Sequence, residues 1–184
     1  LRQRAPAAHT DARYGVPTFV WGNRTSSPSG SARSAAALSA AQLASTARAE
    51  LSRLAPFYGL EAADVRGAVL RPVHDTGRGG VITAFRQSIG GVEGFRDELK
   101  ILFDRDGAMV SASGFLAPAS LAATRTFTLP VEEATRTAET DYANGEPATL
   151  GAPSRAKPVY FHLPGALVPA YHVEVLGSDE YYSY

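Results

Sequence analysis

The chain is 184 residues long, 45% hydrophobic and 20% charged, enough to bury a core in one ordinary domain or two small ones. Lysine plus arginine equals aspartate plus glutamate at 18 each, so the net charge of zero argues against a polyanionic partner such as nucleic acid. The absence of cysteine excludes disulfides, thiolate metal sites and a cysteine nucleophile, and no apolar run approaches the roughly 20 residues of a membrane span.

Residues 1–35 read as an extended arm and linker. No hydrophobic signal segment occurs in its first twelve residues, which implies either a cytosolic protein or a signal removed before Leu1. The stretch Gly15-Val16-Pro17-Thr18-Phe19-Val20-Trp21 is apolar and extended, and Thr25 to Ser31 has the composition of a flexible linker. Trp21, the one tryptophan, is an aromatic group on a polar arm and is expected to dock onto something.

A helix follows. Leu38, Leu43, Ala47, Leu51 and Leu54 fall on one helical face, Ser39 with Gln42 fits a capping box, and Pro56 and Gly59 are expected to stop the helix. Four strand-like runs come next: Val65 to Val73, Val81 to Ile89, Glu98 to Asp104 and Met109 to Phe115. The turns Thr76 to Gly80, Gly90-Gly91 and Asp106-Gly107 separate them, so an antiparallel meander with the helix across it is expected.

The pattern then repeats. Pro130 to Tyr142 is helical, with Glu132 and Glu133 at the positive end of its dipole and Asn144-Gly145 at its stop. Val159 to Leu163, Val168 to Leu176 and Tyr181 to Tyr184 read as strands. The expected class is therefore α+β: two tandem helix-plus-antiparallel-meander units of cystatin-like shape, over residues 36–116 and 117–184, behind the extended arm. The second unit stops in mid-strand, so the chain is expected to be a fragment of a longer one.

No catalytic set stands out. His9, His74, His162 and His172 lack the His-x-x-x-His spacing of a zinc helix; His162 and His172 lie on strands that can bring them together, but without a third ligand they read as sheet-surface residues. Asp104 to Gly107 reads as a hairpin turn rather than a calcium loop, Gly77 to Gly80 leads into a strand rather than a phosphate-binding helix, and no Gly-x-Ser-x-Gly elbow occurs. The chain is therefore expected not to be an enzyme. Gln87 interrupts the apolar face of Val81, Thr83, Phe85 and Ile89; it is either an amide satisfied within the fold or one that faces a partner.

The ordered series His74 to Gly80, Phe85-Arg86-Gln87, Gly90-Gly91-Val92, Phe95, Glu98-Leu99, Asp104 to Gly107 and Ser113-Gly114 resembles the fungalysin/thermolysin propeptide module. Arg13 to Trp21 and Tyr160 to Tyr184 are similar to the fungalysin precursors in particular, the latter to their PepSY-like second half. The resemblance implies a prosegment that inhibits its own secreted zinc metallopeptidase, assists its folding and is removed by proteolysis. It also implies a secreted or periplasmic location after loss of a signal peptide, and a partner, the cognate catalytic domain, that carries the zinc; no cofactor belongs to this chain. Arg86, Gln87 and Phe95 are expected near that contact, Gly90 and Gly91 allow close backbone approach, and Trp21, Phe115 and Tyr182 are candidate anchors. A free-standing cystatin-like protease inhibitor and a cell-envelope binding module are the alternatives. A His-Glu-x-x-His segment downstream of Tyr184 would separate the precursor from both.

Overall fold

The computed structural model describes residues 7–22, 39–75, 77–122, 126–145, 149–177 and 181–183. The molecule is a mixed α+β protein dominated by one sheet. The strands are β1 (Ala7–Asp11), β2 (Val16–Trp21), β3 (Val69–Leu70), β4 (Val81–Ile89), β5 (Val92–Phe103), β6 (Met109–Gly114), β7 (Leu150–Leu163), β8 (Ala166–Gly177) and β9 (Tyr181–Ser183). Three helices accompany them: α1 (Ala40–Tyr58), α2 (Ala62–Gly67) and α3 (Val131–Tyr142). The strand order is β1-β2-β6-β5-β7-β8-β9, with β4 on the other edge of β5 and β3 beyond it.

Helix α1 begins as its capping box predicts. The Gln42 N–H donates to Ser39 Oγ at 3.3 Å, and the Ser39 N–H donates to Gln42 Oε1 at 2.9 Å. It ends at Gly59, whose φ of 65° is left-handed and suits glycine. Pro56 does not stop it: the ring's fixed φ is helical, and the helix runs two residues further. Leu43, Ala47, Leu51, Leu54 and Tyr58 bury one face against Phe85, Leu99, Ile101 and Phe103 of the sheet. Leu38, the first residue of the expected apolar series, lies outside the described residues.

The strand expected over Val65 to Val73 is cut short: its first three residues belong to α2, and only Val69 and Leu70 form a strand. The reason is local. Asp64 Oδ2 accepts from the Glu61 N–H at 2.8 Å, which starts a helical turn that the β-branched residues alone do not foretell. The remaining meander is antiparallel as expected, with β4 on β5 and β5 on β6, but β5 starts at Val92, six residues before the expected Glu98. Asp104 serves its own turn, accepting from the N–H groups of Asp106 and Ala108 at 3.0 and 2.9 Å.

Residues 7–22 of the expected arm are extended, but they are part of the sheet rather than an irregular lead. The β1–β2 hairpin adds to the edge of β6 through Phe19, Val20 and Trp21. The linker over Thr25 to Ser31 lies outside the described residues.

Strand β7 starts at Leu150, nine residues before the expected Val159. Pro153 and Pro158 lie in this extension, and an edge tolerates proline because no ladder needs its missing N–H. On that edge β7 pairs only with β5, in parallel, at Glu93↔Val159 and Gly94↔Tyr160. This short parallel step makes one sheet of the two halves. Helix α3 covers one face of the β7–β8 ribbon around Ala138, Val173 and Val175.

Candidate functional site

Directly paired residues in a sheet share a face, so register decides what the surface carries. In β4 the residues Val81, Thr83, Phe85 and Gln87 point to the α1 side and are buried. Ile82, Ala84, Arg86 and Ser88 point the other way. The pairs Arg86↔Glu98, Ala84↔Lys100 and Ser88↔Glu93 carry this second face into β5. Phe19↔Ser113↔Lys100 and Trp21↔Ser111↔Leu102 carry it into β6 and β2. Glu93↔Val159 carries it into β7, and Phe161↔Val168 into β8. No helix among the described residues covers this face. Among the described residues it is the open face.

Three expected contact residues meet there: Trp21, Arg86 and Phe95. Trp21 is 51% exposed and packs edge-on against Phe19, ring centroids 4.8 Å apart. Arg86 sits in an ion ladder. Its Nε donates to Glu98 at 2.8 Å and its Nη1 lies 3.6 Å from Glu93, while Lys100 pairs with Glu98 and Lys157 with Glu93. The Lys157 ammonium, more than any other cause, holds the Glu93 carboxyl below the usual carboxylate range. Burial works to raise Glu98, but hydrogen bonds from Arg86 and Lys100 outweigh it and leave its pKa lowered.

Phe95 owes its position to a distortion of β5. Between the pairs Arg86↔Glu98 and Ser88↔Glu93, the single residue Gln87 on β4 faces Gly94, Phe95, Arg96 and Asp97 on β5. Arg96 takes a left-handed φ of 56°. Gly94 has to lack a side chain, because a Cβ there would lie 2.6 Å from that of Asp97. The bulge turns Phe95 onto the open face, against Phe161 (6.0 Å) and His172 (5.0 Å), with the Arg96 guanidinium 5.1 Å from its ring centroid.

The same bulge turns Asp97 inward. Both its oxygens accept from the Ala117 N–H, at 3.0 and 2.9 Å. A single shared donor is a poor replacement for water, and burial pushes its pKa up to about 6. Beside it, Asp64 Oδ1 accepts from the Ala119 N–H at 2.9 Å and from Gln87 Nε2 at 3.1 Å. Two interior carboxylates thus pin residues 117–119, which lead from one half of the chain to the other.

Gln87 is 2% exposed, so as a direct partner contact it is corrected, because it has no surface to offer; within the fold the amide is satisfied only at Nε2, which donates to Asp64, while its buried Oε1 has no partner among the described residues. Gly90 and Gly91, with φ of 59° and 84°, form the β4–β5 turn at one end of the sheet, where their left-handed backbone is the physical reason for glycine. Phe115 is not a surface anchor; it packs internally against Tyr14 (5.1 Å) and His162 (5.5 Å). The side chains of Tyr181, Tyr182 and Tyr184 lie outside the described residues. His162 and His172 are on neighbouring strands but opposite faces: His162 stacks on Tyr14 at 4.1 Å, whereas His172 lies on the open side. Among the described residues no three His, Cys, Asp or Glu side chains converge as a metal site would require, and no helix is long and apolar enough to cross a membrane.

Phe161 and Leu163, 44% and 43% exposed, are open-face residues that sequence reasoning passed over. Their alternation with His162 was visible. Which side of β7 the neighbouring elements would cover was not. A scan of the sequence against protein-family models finds no match, and no curated protein matches it.

Proposed function

We propose that the chain is the prosegment module of a secreted zinc metallopeptidase of the fungalysin type, built as two tandem cystatin-like units. On this reading it holds the catalytic domain inactive, helps it fold and is removed by proteolysis; the zinc belongs to that domain. The chain itself performs no catalysis.

The observation that carries the reading is the convergence of Trp21, Arg86 and Phe95, drawn from three separate stretches of the resemblance, on one uncovered sheet face. A rigid sheet surface suits both tasks. A secreted protease that survives by a high unfolding barrier can also fold slowly, and a template that binds its folding transition state lowers that barrier. Tethering raises the effective concentration of the inhibitor, and cleavage removes that advantage.

The test is to mix the purified chain with a mature fungalysin-type peptidase and follow residual proteolysis, then to refold the denatured catalytic domain with and without the chain. Stoichiometric inhibition and a faster return of activity are expected. Unchanged proteolysis together with unchanged refolding would sink the proposal. Inhibition without any effect on refolding would favour the free-standing inhibitor instead.

A further inference from the structure

We infer that the open face is a two-point docking surface, and that its partner presents an acidic strip beside two apolar recesses. The inference rests on the prosegment reading and deepens it by naming the chemistry of the catalytic domain's matching surface.

The face has three zones. At one end Trp21 stands exposed on β2, with the half-buried Phe19 packed edge-on against it. At the other, Phe95 leans on Phe161, with Leu163 further along β7. Strands β6 and β7 follow one another along the edge of β5 opposite β4, so both apolar zones lie on that side of the sheet. The face is an open sheet surface rather than a concave cleft, and small ligands take clefts, so the occupant is a protein surface. Exposed aromatic groups on a rigid support are the residues that carry binding energy when a partner desolvates them.

The charged zone, centred on β4 and β5 beside the apolar ones, decides the partner's charge. Its two carboxylates, Glu93 and Glu98, are only 21% and 20% exposed and already accept from the ladder. Its four cations, Arg71, Arg86, Lys100 and Lys157, are 37 to 57% exposed. Four positive charges against two negative leave a net of +2, with the positive groups outermost. Each ammonium has three N–H donors and cannot use them all on one carboxylate oxygen. Lys100 and Lys157 can therefore bond a partner's carboxylates without giving up Glu98 and Glu93. A partner face lined with lysine or arginine would meet repulsion across the whole strip.

The experiment measures association of the whole chain with a mature fungalysin-type catalytic domain at low and high sodium chloride. It uses the wild type, Trp21→Ser, Phe161→Ser and the double substitution Lys100→Gln with Lys157→Gln. Far-UV circular dichroism confirms that each variant is folded. Each apolar substitution is expected to weaken Kd about tenfold or more. The double substitution is expected to slow association and flatten its salt dependence, with little change in dissociation. If the wild type inhibits the peptidase but both apolar variants bind equally well, or if the lysine variant keeps the parent's salt dependence, this inference is overturned and the prosegment reading stands. If the wild type does not bind at all, the prosegment reading falls and takes this partner with it.

Discussion

The two longer helices, α1 and α3, do very different amounts of work. Six residues of α1 are buried: Leu43, Ala47, Leu51, Leu54, Ala55 and Tyr58. Of α3, only Ala138 is. The first half of the chain closes around a continuous core that includes Phe85, Leu99, Ile101 and Phe103. The second half has two small clusters, around Ala117, Ala122 and Leu167 and around Ala138, Val173 and Val175, supplemented by contacts of Phe127 with Tyr160 and Tyr171. A similar helix-on-ribbon outline thus hides unequal stability. The second half leans on the first through the β5–β7 step and the pinned connector, because its own apolar burial is thin.

The largest effect should come from the thick side. Leu51→Ala empties a fully buried site and is expected to cost about 3–4 kcal/mol, whereas Val175→Ala in the second half should cost about 2 kcal/mol. Urea unfolding, followed by far-UV circular dichroism and by the fluorescence of Trp21 on the first half's β2, checks both. If Val175→Ala proves the costlier of the two, the comparison is wrong. If it broadens the circular dichroism transition and leaves the Trp21 transition unmoved, the halves unfold separately and the comparison sharpens.

The seam gives the next largest effect, through pH. Asp97 carries a folded pKa of about 6, above its ordinary 3.8. The folded state therefore holds this proton more tightly than the unfolded one. The resulting advantage is complete below about pH 4 and is lost as pH rises through about 6, a fall of about 3 kcal/mol. Glu93 and Glu98, whose pKa values are lowered, act in the opposite sense and lose stability as pH falls. The clean readout is thus the difference between wild type and Asp97→Asn in urea unfolding at pH 4.5 and 7.5. The variant should gain relative to the parent at the higher pH; a constant difference would show that Asp97 does not titrate in this range.

The smallest effect is expected on the open face. Arg86→Ala removes the centre of an exposed ladder, and its cost to stability should stay below about 1 kcal/mol in thermal unfolding. A larger loss would make the ladder a structural element rather than a surface held ready for a partner.

Much of this was legible in the sequence. Alternation in Val81 to Ile89 defined β4 to the residue, and the Ser39–Gln42 box and Gly59 bounded α1. These features are local: each depends on a repeat or a cap within a few residues. The site was legible only in part. Trp21, Arg86 and Phe95 were named, but so was Gln87, which faces inward, while Phe19, Phe161, Leu163 and Lys157 went unnoticed. Strand β7 runs from Leu150 rather than the expected Val159; its prolines are acceptable only on an edge, and nothing local says where an edge will be.

The sequence by itself thus determined most of the elements, since hydrophobic period, capping and turn chemistry act over short spans. Tertiary structure alone decided which face of the sheet stays uncovered. That depends on α1 and α3 settling on particular sides, on a four-residue bulge that turns Phe95 out and Asp97 in, and on a parallel step between Glu93 and Val159 that joins strands 66 residues apart. Pairings at such distances are selected by packing and register, and no window of the chain contains both partners.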